Sequence, residues 1–307
     1  MDIPTKIPLL RLPLLVIEEV LSTMIPFELI NLSKTSPACR FIVKSLSKNM
    51  LKSYKIHVSS RENPTIRFHG NNIYYGWEIT DDIEKEGTRY SEEMFNAQYD
   101  TVCVYSNGEN LMKKCIEVFM DINRVLNVGI DYFYIHLFLL NEQRQTVLDW
   151  LNTNFQSIPS LHVVSTNVSV ADLEHTLNSL AIAKSVHICG QTLEKCAFNI
   201  PENFERVVIN HGSWIKLDHL MSFKASIIQI RRAELTNVDL NLFFTSFINM
   251  ECLQNLILME VNILDIDDIA SLDEQFDINR KNGLAVSKFV NREMNLLQLV
   301  RTTHFRV

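Results

Sequence analysis

The sequence has few of the residues that build loops, disulfide frameworks or disordered tails. Its 307 residues include only 8 glycines, 8 prolines and 6 cysteines. Hydrophobic residues make up 47% and charged residues 21%, which is typical of folded domains and excludes a largely disordered chain. The length predicts one small module followed by a larger domain with a sizeable core.

The cysteines show no pattern of a structural site. No CxxC pair and no secretory signal occurs, so neither a disulfide framework nor a zinc site is expected. Cys189 and Cys196 near His187 lie seven residues apart and lack a fourth ligand. The cysteines therefore predict reduced, mostly buried thiols in a protein of the cytoplasm or nucleus.

Excess positive charge and long apolar runs are also missing. The formal net charge is −7, so the basic footprint of a nucleic-acid-binding protein is absent from the chain as a whole. No apolar run reaches the roughly 18 residues of a membrane span. The N-terminal apolar run is interrupted by Glu18 and Glu19, unlike a signal peptide. We expect neither nucleic acid nor a membrane as a partner.

The sequence contains none of the common catalytic, phosphate-binding or dinucleotide-binding motifs. His136, His162 and His187 lie in strand-like runs, where hydrogen-bonded structural histidines are the interpretation we favour over ligands or bases. We therefore predict no catalytic residue, no metal and no cofactor.

The first fifty residues predict three short helices separated by prolines. Apolar residues after Pro13 recur at helical spacing, Pro26 separates the first helix from the second, and Pro37 begins the third. A module this small cannot bury its apolar surface alone. The surplus is expected to contact a partner or the rest of the chain.

This segment resembles an F-box. The resemblance depends on a Leu-Pro opening, a Val-Leu pair near the end of the first helix and Glu28-Leu29-Ile30 in the second, within LPLLVIEEVLSTMIPFELINLSKTSPACRFIV. It implies a helical hook that docks on a Skp-type adaptor, which in turn binds a cullin ubiquitin ligase. By this resemblance the candidate adaptor contacts are Leu12, Pro13, Ile17, Val20, Leu21 and Leu29.

Two alternatives stay open for these helices. They could simply cover the larger domain and bind no partner. The stripe of Arg40, Lys44, Lys48 and Lys52 could contact an acidic partner, although a solvated helix face is the interpretation we favour.

The rest of the chain reads as strands and helices. Alternating residues at 54–80 predict a small antiparallel meander, and the acidic stretch after it predicts a surface loop or linker. Beyond it, strand-like runs alternate with helical patterns at intervals of about twenty to thirty residues, which is typical of a leucine-rich-repeat-like βα solenoid. A doubly wound sheet is the competing fold, but no glycine-rich first turn occurs.

The segment Arg231–Val261 is similar to the final motif of the type 2 F-box-associated domain of the large nematode F-box family. The match consists of Leu235, Thr236, Asp239, Leu240, Asn241 and Phe244. Thr236 or Asn237 is expected to cap a helix here. Its inward side chains are expected to be Leu240, Phe243, Phe244 and Phe247.

The predicted fold class is α/β, or α+β overall. The expected domains are an F-box at 8–50, a meander and linker region at 54–80, an F-box-associated βα solenoid at 99–262 and an acidic segment with a helix at 263–307. We interpret the chain as the substrate-recognition subunit of a Skp–cullin–F-box ubiquitin ligase with an unknown protein substrate. The alternatives are a non-catalytic scaffold that binds the adaptor alone and an α/β enzyme with a helical cap.

Overall fold

The structure is a computed structural model. It describes residues 9–262 and 284–301, except positions 95, 109, 141–142, 166–168, 191–203, 250–251, 253–254 and 292–293. The chain divides into two compact units, Met1–Tyr132 and Phe133–Val307.

The first unit begins with the three predicted helices. They are α1 (Leu14–Ser22), α2 (Pro26–Thr35) and α3 (Pro37–Met50). Pro13 lies immediately before α1 as its N-cap, with an extended backbone at φ −57° and ψ 148°. At the start of α2, the Glu28 carboxylate accepts a hydrogen bond from the Ile25 N–H at 3.0 Å, which satisfies one of the free donors of a helix N-terminus.

Five strands of a β-sheet and one long helix complete the first unit. The elements are β1 (Lys55–Ser59), β2 (Thr65–His69), β3 (Ile73–Thr80), β4 (Arg89–Met94), β5 (Ala97–Tyr105) and α4 (Leu111–Leu126). The strand order is β1-β2-β3-β5-β4, with β3 and β5 parallel and the other neighbours antiparallel. Residues 55–80 thus form three antiparallel strands.

The core of the first unit lies on one face of this sheet. Successive side chains of a strand point to opposite faces, and the buried set alternates accordingly. The fully buried members on this face include Val58, Ile66, Phe68 and Ile79. The Phe27 ring of α2 packs edge-on against Trp77 at 4.7 Å and Tyr75 at 5.7 Å, which fixes α2 on the sheet.

The acidic stretch after β3 differs from the prediction of a loop or linker. It contains β4, which pairs antiparallel with β5 at the end of the strand order. Most β4 side chains are exposed, so the strand has no buried alternation by which its sequence could have indicated it. Pairing with β5 therefore decides its conformation.

The second unit consists of strands that alternate with helices. The elements are β6 (Tyr132–His136), α5 (Leu137–Leu140), α6 (Arg144–Asn154), β7 (Ile158–Val164), α7 (Val170–Ser179), β8 (Ile182–Cys189), β9 (Arg206–Ile209), α8 (Leu217–Ser222), β10 (Ile227–Ile230), α9 (Asn237–Ile248), β11 (Leu258–Asn262), β12 (Leu284–Asn291) and β13 (Met294–Arg301).

Strands β7 to β11 are parallel, and each pairs with the next strand along the chain. A doubly wound sheet would instead reverse its strand order at a switch point. The consecutive order is that of a βα solenoid, in which each unit contacts its sequence neighbours. The predicted α/β class with N-terminal helices is confirmed.

The C-terminal helix predicted within 263–307 is wrong for residues 284–301. These residues form β12 and β13, an antiparallel pair joined to β11 in the order β12-β13-β11. Both segments contain β-branched or other apolar residues in short runs, which pair readily once a partner strand is available. Residues 263–283 of the same predicted region lie outside the described residues.

The described cysteines are free thiols, at positions Cys39, Cys103, Cys115, Cys189 and Cys252. Complete burial raises the pKa of the Cys115 thiol to about 12, so this thiol stays protonated. Within the described part of the chain no group of three or more histidine, cysteine or acidic side chains could hold a metal ion. None of the helices described there has the length and apolar composition needed to span a membrane.

Candidate functional site

The N-terminal helices place several large apolar side chains in solvent. Leu14 is 62% exposed, Leu15 75% and Val16 42%, and Leu10 just before α1 is 42% exposed. Three consecutive apolar residues cannot all lie on the buried face of one helix, because adjacent positions are about 100° apart. The beginning of α1 therefore presents an apolar surface that the first unit does not cover.

The six predicted contact residues divide into two groups. Ile17, Leu21 and Leu29 are only 3%, 0% and 1% exposed, so they form the internal packing of the helices. The other three are accessible: Pro13 is exposed, and Leu12 and Val20 are half-buried. Helical periodicity placed Ile17 and Leu21 on an apolar face correctly, but it could not tell whether that face packs inward or meets a partner.

Helix α3 adds one exposed aromatic side chain and two exposed cations. Phe41 is 73% exposed, while Cys39 and Val43 of the same helix are buried against the first unit. Arg40 and Lys44 are both exposed, consistent with a solvated helix face. The predicted adaptor contacts did not include Phe41 or Leu15. For α1, the run of three consecutive apolar residues LLV is the sequence signal that indicates exposed apolar surface.

An ion-pair network holds the sheet under α2. The Arg89 guanidinium lies 5.2 Å from the centroid of the Phe27 ring and donates to the Asp100 carboxylate at 2.6 Å. Burial opposes ionisation of Asp100, but hydrogen bonds from Ser91 and Arg89 outweigh it and lower the pKa of this carboxyl. Asp100 therefore keeps its charge and orients Arg89 beneath the helices.

A row of polar side chains crosses one face of the neighbouring strands of the second unit. His162 pairs in register with His187, their rings stack at 4.0 Å, and Tyr134 lies 4.3 Å from His162. Further along, Arg206 donates to Gln229 and Gln229 donates to Glu260, both at 2.5 Å. These side chains are half-buried or exposed, whereas the alternate residues of the same strands, such as Val186 and Ile188, are buried.

The histidines of this row are neutral. Burial, with His187 nearby, lowers the pKa of His162 to about 3, and burial, with Arg206 nearby, lowers that of His187 to about 4. A neutral stacked pair of this kind packs the two strands together, which is a structural role.

One polar cavity of about 520 Å³ lies where β5 ends and α4 begins. Its lining is Tyr105, Ser106, Asn107, Asn110, Lys113, Lys114 and Glu117. Asn110 is committed to capping α4, because its side chain accepts from the Lys113 N–H at 2.7 Å. Lys114 is paired with Glu117 at 3.7 Å. Three of the seven lining residues, Asn110, Lys114 and Glu117, thus already have partners for their polar groups.

Helix α9 contains the residues that carried the second resemblance. Thr236 caps the helix through Asp239, as predicted for Thr236 or Asn237. Three of the four predicted inward residues, Leu240, Phe243 and Phe247, are at most 1% exposed. The side chain of Phe244 lies outside the described residues.

Comparison with known protein families identifies both regions. Residues 9–51 match the model of the F-box domain, and residues 195–279 match a model described as F-box associated. The chain therefore contains an F-box followed by an F-box-associated domain, and the predicted resemblance to nematode F-box proteins of this organisation is confirmed. Such families are typically non-catalytic adaptors.

The chain is also similar to a curated nematode protein along most of its length. The Skn-1 dependent zygotic transcript 15 protein of Caenorhabditis elegans is 24% identical to the chain over 285 residues, covering 84% of this chain and 81% of the relative. No solved structure matches the chain.

Proposed function

We propose that the chain is the substrate-recognition subunit of a Skp–cullin–F-box ubiquitin ligase in the cytoplasm or nucleus. It binds a Skp-type adaptor through the F-box, and through that adaptor a cullin, and it holds a protein substrate with its C-terminal domain. It catalyses nothing itself, and it speeds ubiquitin transfer by holding the substrate near the ligase.

The observation that carries the proposal is the uncovered apolar surface at the start of α1, inside the segment that matches the F-box model. Helix-in-groove recognition uses a few large apolar anchors of this kind, which supply most of the binding energy. We assign the anchors to Leu14, Leu15 and Phe41, beside the accessible Leu12, Pro13 and Val20. Ile17, Leu21 and Leu29 act by positioning these helices.

The polar row on the strands of the second unit supports substrate binding by the C-terminal domain. The row spans consecutive strands on the face opposite their buried side chains. A surface of many half-buried polar and aromatic groups can contact an extended partner over several strands.

The test is a pull-down of the Skp-type adaptor and its cullin by the tagged full-length chain. Leu15→Glu is expected to lower adaptor recovery at least about tenfold, because it puts a charge into an apolar contact. Leu12→Ala/Pro13→Ala is expected to weaken recovery as well.

Ile83→Glu is the matched control, because Ile83 is an apolar side chain 65% exposed in the same unit but outside the F-box. Circular dichroism must show each variant folded. Unchanged recovery with folded Leu15→Glu refutes the assigned surface. Recovery of the adaptor without any cullin refutes the ligase role and leaves a scaffold that binds the adaptor alone.

A further inference from the structure

The sheet strands of the first unit have an open face on the side opposite their core. We define this open face by His57, Arg67, His69, Tyr74 and Tyr99. All five side chains are half-buried, whereas their strand neighbours Ile56, Ile66, Phe68 and Tyr75 are buried on the other face. His57 pairs with Arg67, His69 with Tyr74 and Tyr74 with Tyr99 in the strand register. The five residues therefore form one continuous surface over four strands.

The rings of this face pack closely against one another and form its floor. His57 and His69 stack with centroids 3.5 Å apart, and the Tyr74 ring lies 4.3 Å from His69 and 4.5 Å from Tyr99. Burial, with the Arg67 charge nearby, lowers the pKa of His69 to about 4, so this imidazole is neutral near pH 7. The floor is thus aromatic, and its His69 member carries no charge near pH 7.

Arg67 is the cation of the open face, and its side chain is held across the sheet. Its Cζ lies 5.5 Å from the centroid of the Tyr99 ring. It pairs with Gly76 on β3, where a Cβ would lie 3.4 Å from Arg67 Cγ. The absence of a side chain at Gly76 therefore leaves the space in which the arginine stem extends toward Tyr99.

The charge of Arg67 is not neutralised. Among the residues that the structure describes, no carboxylate pairs with Arg67 and its buried Nε–H has no acceptor. The Glu78 carboxylate, whose charge favours the protonated form of Arg67, accepts a hydrogen bond from the Tyr90 hydroxyl at 3.0 Å. Burial, with Arg61 nearby, lowers the pKa of Arg67.

A half-buried guanidinium without an acceptor is unfavourable, because it has lost water and gained no partner. Such groups need an explanation in a folded protein, and an oxyanion is the group that a guanidinium fork fits best. The ring floor beside it fits the apolar parts of a peptide rather than a free ion.

We propose that the open face of the first unit binds an acidic segment of a protein partner. Arg67 pairs with a carboxylate of that segment, and Tyr74 and Tyr99 contact the side chains next to the carboxylate. This surface does not include the exposed apolar residues of α1. Its failure would leave the proposed adaptor contact untouched.

The first experiment is a selection of random twelve-residue peptides displayed on phage against the full-length chain. Peptides that also bind Arg67→Gln are removed by counter-selection. We expect the remaining peptides to share an aspartate or glutamate at a fixed position. A library without phosphate identifies carboxylate as the anion. No enrichment, or enriched peptides without a shared acidic residue, overturns the proposal.

The second experiment measures the best enriched peptide, labelled with fluorescein, by fluorescence anisotropy. Arg67→Gln is expected to weaken binding at least about tenfold, because a charge-assisted bidentate pair is lost. Replacing the shared acidic residue of the peptide by its amide should cause the same loss. Arg61→Gln is the matched control, since it removes the same charge from an exposed position in the adjacent turn.

The control must change affinity less than about threefold. Equal losses in Arg61→Gln and Arg67→Gln would mean nonspecific charge attraction and would overturn the site. The thermal midpoint separates binding from packing. We expect Arg67→Gln to keep or raise it, because a half-buried cation without a partner is removed. A variant with a lower midpoint and wild-type affinity makes Arg67 structural and refutes the proposal.

Discussion

At the scale of single residues, close contacts between strands limit which substitutions the second unit tolerates. Gly190 directly follows β8, where the Ser165 N–H donates to the Cys189 carbonyl at 2.8 Å. A Cβ at Gly190 would lie 2.1 Å from Ser165 Oγ and 2.8 Å from Ser165 O. The second of these is backbone and cannot move aside by changing a rotamer. The glycine is therefore required by the approach of two strand ends.

Gly190→Ala is expected to lower the free energy of unfolding by about 2 to 3 kcal/mol, because overpacking displaces the backbone of Ser165. Urea denaturation followed by circular dichroism measures this change. Gly129→Ala is the matched control, since a Cβ there meets nothing within 4 Å. A Gly190→Ala variant as stable as Gly129→Ala would contradict the described approach of the two strands.

Buried and exposed apolar residues of the F-box also differ at the scale of single residues. Ile17 and Leu15 are both large apolar residues of one short helix, yet one is 3% exposed and the other 75%. Their residue types do not distinguish them. The packing of α1 against α3 does, because it covers only one side of the helix.

At the scale of elements, the best predicted part of the chain is α9. Its N-terminus is a capping box: Thr236 Oγ1 accepts from the Asp239 N–H at 3.2 Å, and the Asp239 carboxylate accepts from the Thr236 N–H at 2.9 Å. Both halves are readable from the sequence, since a threonine three residues before an acidic residue is an N-terminal helix signal.

Thr236→Ala is expected to cost about 1 kcal/mol of stability, because the Asp239 N–H loses its acceptor. The midpoint of chemical denaturation measures the change. Thr245→Ala removes the same hydroxyl inside the same helix, where it donates only to the Asn241 carbonyl, and should cost clearly less. Equal losses at the two positions would show that the loss of a threonine hydroxyl in general, and not of the cap, causes the effect.

Other elements gave weaker signals. The apolar residues of α4 recur at helical spacing, and its buried set, including Cys115, Phe119 and Ile122, follows that spacing. β4 gives no such signal, because its mostly exposed side chains do not alternate. Hydrogen bonds to a neighbour along the sheet decide such strands, and those bonds are absent from local sequence.

At the scale of the whole molecule, uncovered apolar surface at the N-terminus should control behaviour in solution. Exposed apolar patches promote association until a partner covers them. We expect Leu14→Ser/Leu15→Ser to reduce self-association of the purified chain, measured by light scattering over a concentration series. Ile83→Ser removes a similarly exposed apolar side chain elsewhere and should have little effect. Equal self-association of the two variants would show that the associating surface lies outside α1.

The sequence by itself determined the local decisions. The prolines set the limits of the first three helices, the alternation of strands and helices at a repeating interval gave the α/β class, and the capping residues placed α9. These features depend on backbone restrictions and on periodicity, which neighbouring residues fix among themselves.

Only the tertiary structure decided which apolar residues of the F-box are buried, that residues 284–301 are strands, and that Arg67 stands without a counter-ion among the described residues. The physical reason is the same in each case. Burial, strand pairing and charge neutralisation depend on groups far apart in the chain, and their positions are known only once it has folded.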